Sequence, residues 1–134
     1  MQDSVFTKII KGEIPSYKVY EDARTLAFVD IQPVTPGHVV VVPKVQIDFV
    51  WNLEQVDYQA LMDAAQKVGK RLREVFPERK RIGMMVEGLG VKDHAHVNVF
   101  PFDTAEEFRH TPRPDIEPDH KELAAMAERL RILI

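Results

Sequence analysis

Between Gly88 and Pro101 the chain reads Gly-Leu-Gly-Val-Lys-Asp-His-Ala-His-Val-Asn-Val-Phe-Pro, and a polar side chain returns at every second place: His94, His96, Asn98. Ala95, Val97 and Val99 fill the places between. Successive side chains of a β-strand point to opposite faces, so this period sets two imidazoles and an amide in one row and the apolar residues in another. Such a row can bind a metal, relay protons or attack an electrophile, whereas a structural pair of histidines needs only hydrogen-bond partners. The strand by itself leaves these readings open. A third histidine, His38, stands just after Gly37 at the mouth of a four-valine run, where a backbone can approach a ligand closely. It can equally be a residue that only begins a strand.

These residues need a sheet to hold them. Val39 to Val42 is apolar at every place and predicts a central strand covered on both faces. Tyr17 to Glu21 and Thr25 to Asp30, rich in β-branched and aromatic residues, predict a hairpin around Asp22 and Ala23. Arg81 to Val86 and Ala95 to Phe100 predict two further strands, with Glu87 to Asp93 as the loop between them. The glycines of that loop precede a strand and not a helix, so they form no dinucleotide or Walker fingerprint, although their backbone could approach phosphate.

Two helices flank this sheet in the sequence. Asp3 or Ser4 can cap a short helix through Ile10 that Gly12 ends. Val56, Ala60, Leu61, Ala64, Val68, Leu72, Val75 and Phe76 follow helical spacing and predict a long amphipathic helix stopped by Pro77, with Lys67, Lys70, Arg71 and Arg73 on its solvated side. Asp103 to Asp119 is polar and proline-punctuated, with Arg109, His110 and Arg113 open to a ligand or to solvent. Asp119 with Glu122 resembles a capping box, ahead of a short amphipathic helix carrying Leu123, Met126, Ala127 and Leu130. The apolar end, Ile132 to Ile134, is expected to dock on its own sheet or on a partner subunit. The expected division is a core domain over 1–101 and an appended segment over 102–134.

At 134 residues one domain can bury a core without staples. The absence of cysteine excludes disulfides and thiolate metal sites and suits a reducing cytoplasm. A net charge of −3 argues against general nucleic-acid binding while leaving small anionic ligands open. No basic region followed by a long apolar run opens the chain, so no secretory signal is expected, and no run approaches membrane-spanning length.

Four segments together resemble the histidine triad (HIT) family, particularly its nucleotide-binding, phosphoramidase-like branch. They are Val5-Phe-Thr-Lys-Ile-Ile-Lys-Gly-Glu-Ile-Pro15, Leu26-Ala-Phe-Val-Asp-Ile31, Pro36-Gly-His-Val-Val-Val-Val-Pro-Lys44 and His94-Ala-His-Val-Asn-Val-Phe-Pro101. The resemblance implies an α+β HIT-like fold: an antiparallel sheet of about five strands, one long helix, a short N-terminal helix and here a C-terminal helical extension. It also implies a homodimer. By the match His96 takes the nucleophile position, His94 the first place of the motif and His38 the supporting histidine. Asp30 matches the carboxylate that holds the ribose hydroxyls, and Val5, Phe6, Ile9, Ile14 and Ile31 match the wall around the base. A neutral imidazole can attack phosphorus to give a nucleotidyl-histidine that water then hydrolyses, a route that needs neither metal nor cofactor.

The chain departs from the family pattern in places that bear on chemistry. Asn98 stands at the third motif histidine, and Gly90-Val-Lys-Asp93 replaces a Gly-Gln-Ser type of phosphate-contacting segment; Lys92 could contact phosphate and Asp93 could orient His94 or His96, but the pair is expected to be an exposed ion pair in a loop. Ser4, Thr7 and Gln46 replace three of the four zinc ligands that many bacterial members carry, leaving His94 alone, and one imidazole cannot hold structural zinc. The implied function is hydrolysis or nucleotidyl transfer from a purine nucleoside phosphoramidate or a related nucleoside monophosphate ester. The alternatives are a nucleotide-binding module with little turnover and a dinucleoside polyphosphate hydrolase.

Overall fold

The computed structural model describes residues 2–109 and 116–133. Its centre is a five-stranded antiparallel sheet of β1 (Lys18–Glu21), β2 (Thr25–Val29), β3 (Val39–Pro43), β4 (Arg81–Met85) and β5 (Val97–Phe102), in the spatial order β1-β2-β3-β5-β4. The helices are α1 (Val5–Ile10), α2 (Gln55–Val75), α3 (Ala105–Arg109) and α4 (His120–Leu130), with a single 3-10 turn at Val50–Asn52. Ser4 caps α1 by accepting the Thr7 amide, and Asp119 caps α4 by accepting the Glu122 amide. The expected α+β class, the long helix and the flanking helices are all present. His110, Pro112, Arg113, Pro114 and Ile134 lie outside the described residues.

Strand register sorts the side chains into two layers. Ala27, Val29, Val39, Val41, Val97 and Val99 share one core with Leu61, Ala64, Val68 and Leu72 of α2 and with Leu123, Ala127 and Leu130 of α4. The alternate residues Leu26, Phe28, Val40 and Val42 pack on the other side against Phe6 and Ile9 of α1. All five residues of β3 are buried, so the four valines are covered from both sides as their unbroken run requires. The end of the chain runs beside β1, where Ile132 donates its amide to Val19 O at 2.8 Å; Ile132 packs against the core while Leu133 is exposed.

Three expectations shift. The backbone at Gly37 makes its close approach to Phe76: φ is +97°, and a Cβ there would stand 2.7 Å from Phe76 Cε2. The strand expected over Ala95 to Phe100 runs instead from Val97 to Phe102, because Ala95 spends its amide on Ile47 O and because β4 pairs with β5 out to Phe102 although β3 does so only as far as Val99. Beyond that point Pro101 has no ladder partner on the β3 side to deprive of an N–H. A short helix, α3, interrupts the segment expected to be irregular. Thr104 Oγ1 accepts the Glu107 amide at 3.1 Å, Glu107 Oε1 accepts the Asp103 amide at 2.7 Å, and Phe108 packs on Phe100 and Phe102.

Candidate functional site

Val40 pairs with Asn98 across β3 and β5, and residues opposite one another in an antiparallel ladder share a face. His38 lies two places before Val40 and His96 two before Asn98, so β-sheet periodicity alone brings the three to the α1 side. Asp30 joins them from the end of β2, its amide bonded to His38 O at 2.9 Å. Phe6 of α1 holds both motif imidazoles edge-on, with ring centroids 5.7 Å from His94 and 5.0 Å from His96.

Hydrogen bonds fix the tautomer of each ring. His96 Nδ1 donates to His94 O at 3.0 Å, so its Nε2 carries the lone pair. The ring is 5 % exposed and cannot turn freely. His38 Nδ1 accepts the Val34 amide at 3.1 Å, and its Nε2 donates to Asn98 Oδ1 at 2.8 Å. Burial holds the His38 pKa below the ordinary 6.5, against the opposing pull of Asp30, whose Oδ2 lies 3.7 Å from Nε2. The other Asp30 oxygen accepts the Gln32 amide at 2.7 Å.

His94 has a different setting. It is fully buried, donates from Nε2 to Pro43 O at 2.7 Å and accepts at Nδ1 from Ser4 Oγ, also at 2.7 Å. Burial lowers its pKa below 6.5 as well. Around it, Thr7 Oγ1 donates to Gln46 Oε1 at 2.6 Å and Ser4 donates its amide to the same oxygen at 2.8 Å. Gln46 Nε2 completes the network by donating to Gln2 O at 2.9 Å. The four positions that the resemblance marks as a zinc site do converge, but on one imidazole, two neutral hydroxyls and an amide already paired with one another. Such a donor set does not suit zinc, which is held by thiolate, imidazole or carboxylate.

Asp93 bonds to neither motif imidazole; backbone carbonyls and Ser4 take both nitrogens of His94 and Nδ1 of His96. The carboxylate that does approach comes from the segment between β4 and β5: Glu87 Oε1 stands 3.9 Å from His96 Nε2 while its Oε2 accepts the Leu89 amide at 2.7 Å. A register argument could have found it, because Met85 pairs with Asn98 and two steps outward bring Glu87 opposite His96. Of the residues expected around a base, Phe6 and Ile9 are buried against the sheet and Ile14 packs beside them, whereas Val5 and Ile31 are largely exposed. Ile31 opens on a cavity of about 270 Å³ shared with Gln32, Pro33, Ile116 and Pro118.

The family model described as HIT domain matches residues 11–105. An uncharacterized HIT-like protein of Borreliella burgdorferi is 40% identical over 75 residues, covering 56% of this chain and 54% of that protein. The chain thus spans about half the length of the relative it matches there. An adenosine 5'-monophosphoramidase of Candida albicans is 33% identical over 104 residues, covering 72% of this chain and 68% of the relative. Among solved structures, a HIT-like protein from Bartonella henselae, described as involved in cell-cycle regulation, superposes with a TM-score of 0.83 at 28% identity, covering 96% of this chain and 94% of the other.

Proposed function

The chain belongs to the HIT domain family, and on that premise we propose that it is a nucleotide hydrolase or nucleotidyl transferase acting on purine nucleoside phosphoramidates or related nucleoside monophosphate esters. The observation that carries this reading is the orientation of His96: Nδ1–H is tied to His94 O, which leaves the Nε2 lone pair as the nucleophile. The name of the Candida albicans relative supports the phosphoramidate as the substrate class.

In the proposed reaction Nε2 attacks phosphorus, the substrate's leaving group departs, and water releases the nucleotide from the histidine. The His94 carbonyl stabilises the Nδ1–H of the imidazolium that forms. Asn98, its Oδ1 committed to His38, keeps its NH₂ group as a donor toward phosphoryl oxygens. Asp30 accepts the ribose hydroxyls, and Val5, Phe6, Ile9, Ile14 and Ile31 receive the base. A homodimer is proposed as well, supported by the position of β4 at the edge of the sheet with Met84 exposed. None of the helices among the described residues is long and apolar enough to cross a membrane; the lack of cysteine supports a cytoplasmic setting.

Release of a fluorogenic amine from an adenosine phosphoramidate, run beside a binding titration with AMP, tests this reading. Turnover supports it. AMP binding without release of the amine would replace it with the binding-module reading, which Asn98 and the altered loop favour.

A further inference from the structure

Glu87 lies beside the atom that an incoming phosphoryl group must approach. A phosphorus atom has to come within about 3–3.5 Å of Nε2 to react, and Glu87 Oε1 is already 3.9 Å from that nitrogen. The Glu87 side chain is one-third exposed, and its second oxygen is tethered to the Leu89 amide at 2.7 Å, which holds the carboxylate beside Nε2. A second carboxylate belongs to the same site: Asp30 Oδ2 lies 3.7 Å from His38 Nε2.

Resting on the proposed nucleotidyl transfer to His96, we infer that Glu87 determines the leaving-group class, favouring amines over phosphate and polyphosphate. In the amine case the bridging nitrogen first takes a proton from solvent water. The Nε2 lone pair then forms the N–P bond while the P–N bond of the substrate breaks, its electron pair staying on nitrogen, and a neutral amine leaves. Glu87 accepts a hydrogen bond from the N–H of that nitrogen and opposes its positive charge. Water next attacks phosphorus, the electron pair of the P–Nε2 bond returns to Nε2, and the spare proton goes back to solvent. A phosphate leaving group offers no such N–H at neutral pH and places further negative charge beside the carboxylate, which disfavours it.

The test is Glu87→Gln, which keeps an oxygen to accept the Leu89 amide and removes only the charge. kcat/KM is measured for native and variant proteins on an adenosine phosphoramidate of a simple alkylamine and on a diadenosine polyphosphate. The variant should lose on the first substrate and gain on the second, so that their ratio falls roughly tenfold or more, and it should bind AMP more tightly. A ratio unchanged within twofold, whether both activities hold or both fall, would overturn the assignment of Glu87 and leave the hydrolase reading intact. Failure of the native protein on both substrates would instead defeat the hydrolase reading; AMP affinity unaltered by Glu87→Gln would then remove the electrostatic role too.

Discussion

His38 Nε2 donates to Asn98 Oδ1 at 2.8 Å, a bond that occupies the carbonyl end of the amide at the third motif position. An amide cannot exchange a proton near neutral pH, but it can answer a donor with one end and offer its own hydrogens with the other. Replacement by Leu leaves the buried His38 N–H without a partner and should cost about 1–3 kcal/mol of stability. Asn98→His should alter turnover only modestly if the position serves phosphoryl oxygens. Comparing native and Asn98→His proteins across leaving groups of rising basicity decides the matter: a gain that grows with basicity would show that a proton carrier is missed there.

Asp30 should govern binding more than chemistry. Loss of charge-assisted bonds worth about 1.5–3 kcal/mol predicts a rise in KM of roughly tenfold or more for Asp30→Ala, with a smaller change in kcat. Equal affinity of the native protein for ribo- and dideoxynucleotides would refute the ribose role.

Acid should weaken the fold through its buried histidines. His38 and His94 both have pKa values lowered by burial from the ordinary 6.5, so the unfolded chain binds protons that the folded one resists. Stability that is complete above pH 6.5 is then lost as pH falls from there toward the lowered folded values. Urea midpoints at pH 7.5 and 5.5 measure this, and the difference should shrink when His38 is replaced by Asn. A midpoint that holds or rises on acidification would contradict it.

The polar cluster around His94 should stabilise α1 without metal. Ser4 both caps the helix and donates to His94 Nδ1, so Ser4→Ala is expected to cost about 1–3 kcal/mol. A chelator should leave the melting temperature where it was. A drop in Tm with chelator would show that a bound metal contributes.

Much of the scaffold could be read along the chain. Four consecutive valines, the α2 stripe and the alternation of His94, His96 and Asn98 with Ala95, Val97 and Val99 depend on period alone, which one strand or one helix displays. What escaped depends on pairs far apart in sequence. Gly37 faces Phe76 and Ser4 bonds His94 across 90 positions. Glu87 reaches His96 only once the β4–β5 register is known. The start of α3 was open to reading, since Thr104 and Glu107 form a capping pair three residues apart, but Pro112 and Pro114 drew attention to irregularity instead.

The most direct measurement is turnover of an adenosine phosphoramidate by His96→Ala alongside its affinity for AMP. On the proposed mechanism binding rests on Asp30 and the apolar wall while bond making needs Nε2, so kcat should fall by at least about 10³-fold with AMP affinity within a few-fold of native. Undiminished turnover in that variant would contradict the nucleophilic role of His96 and, with it, the proposed mechanism.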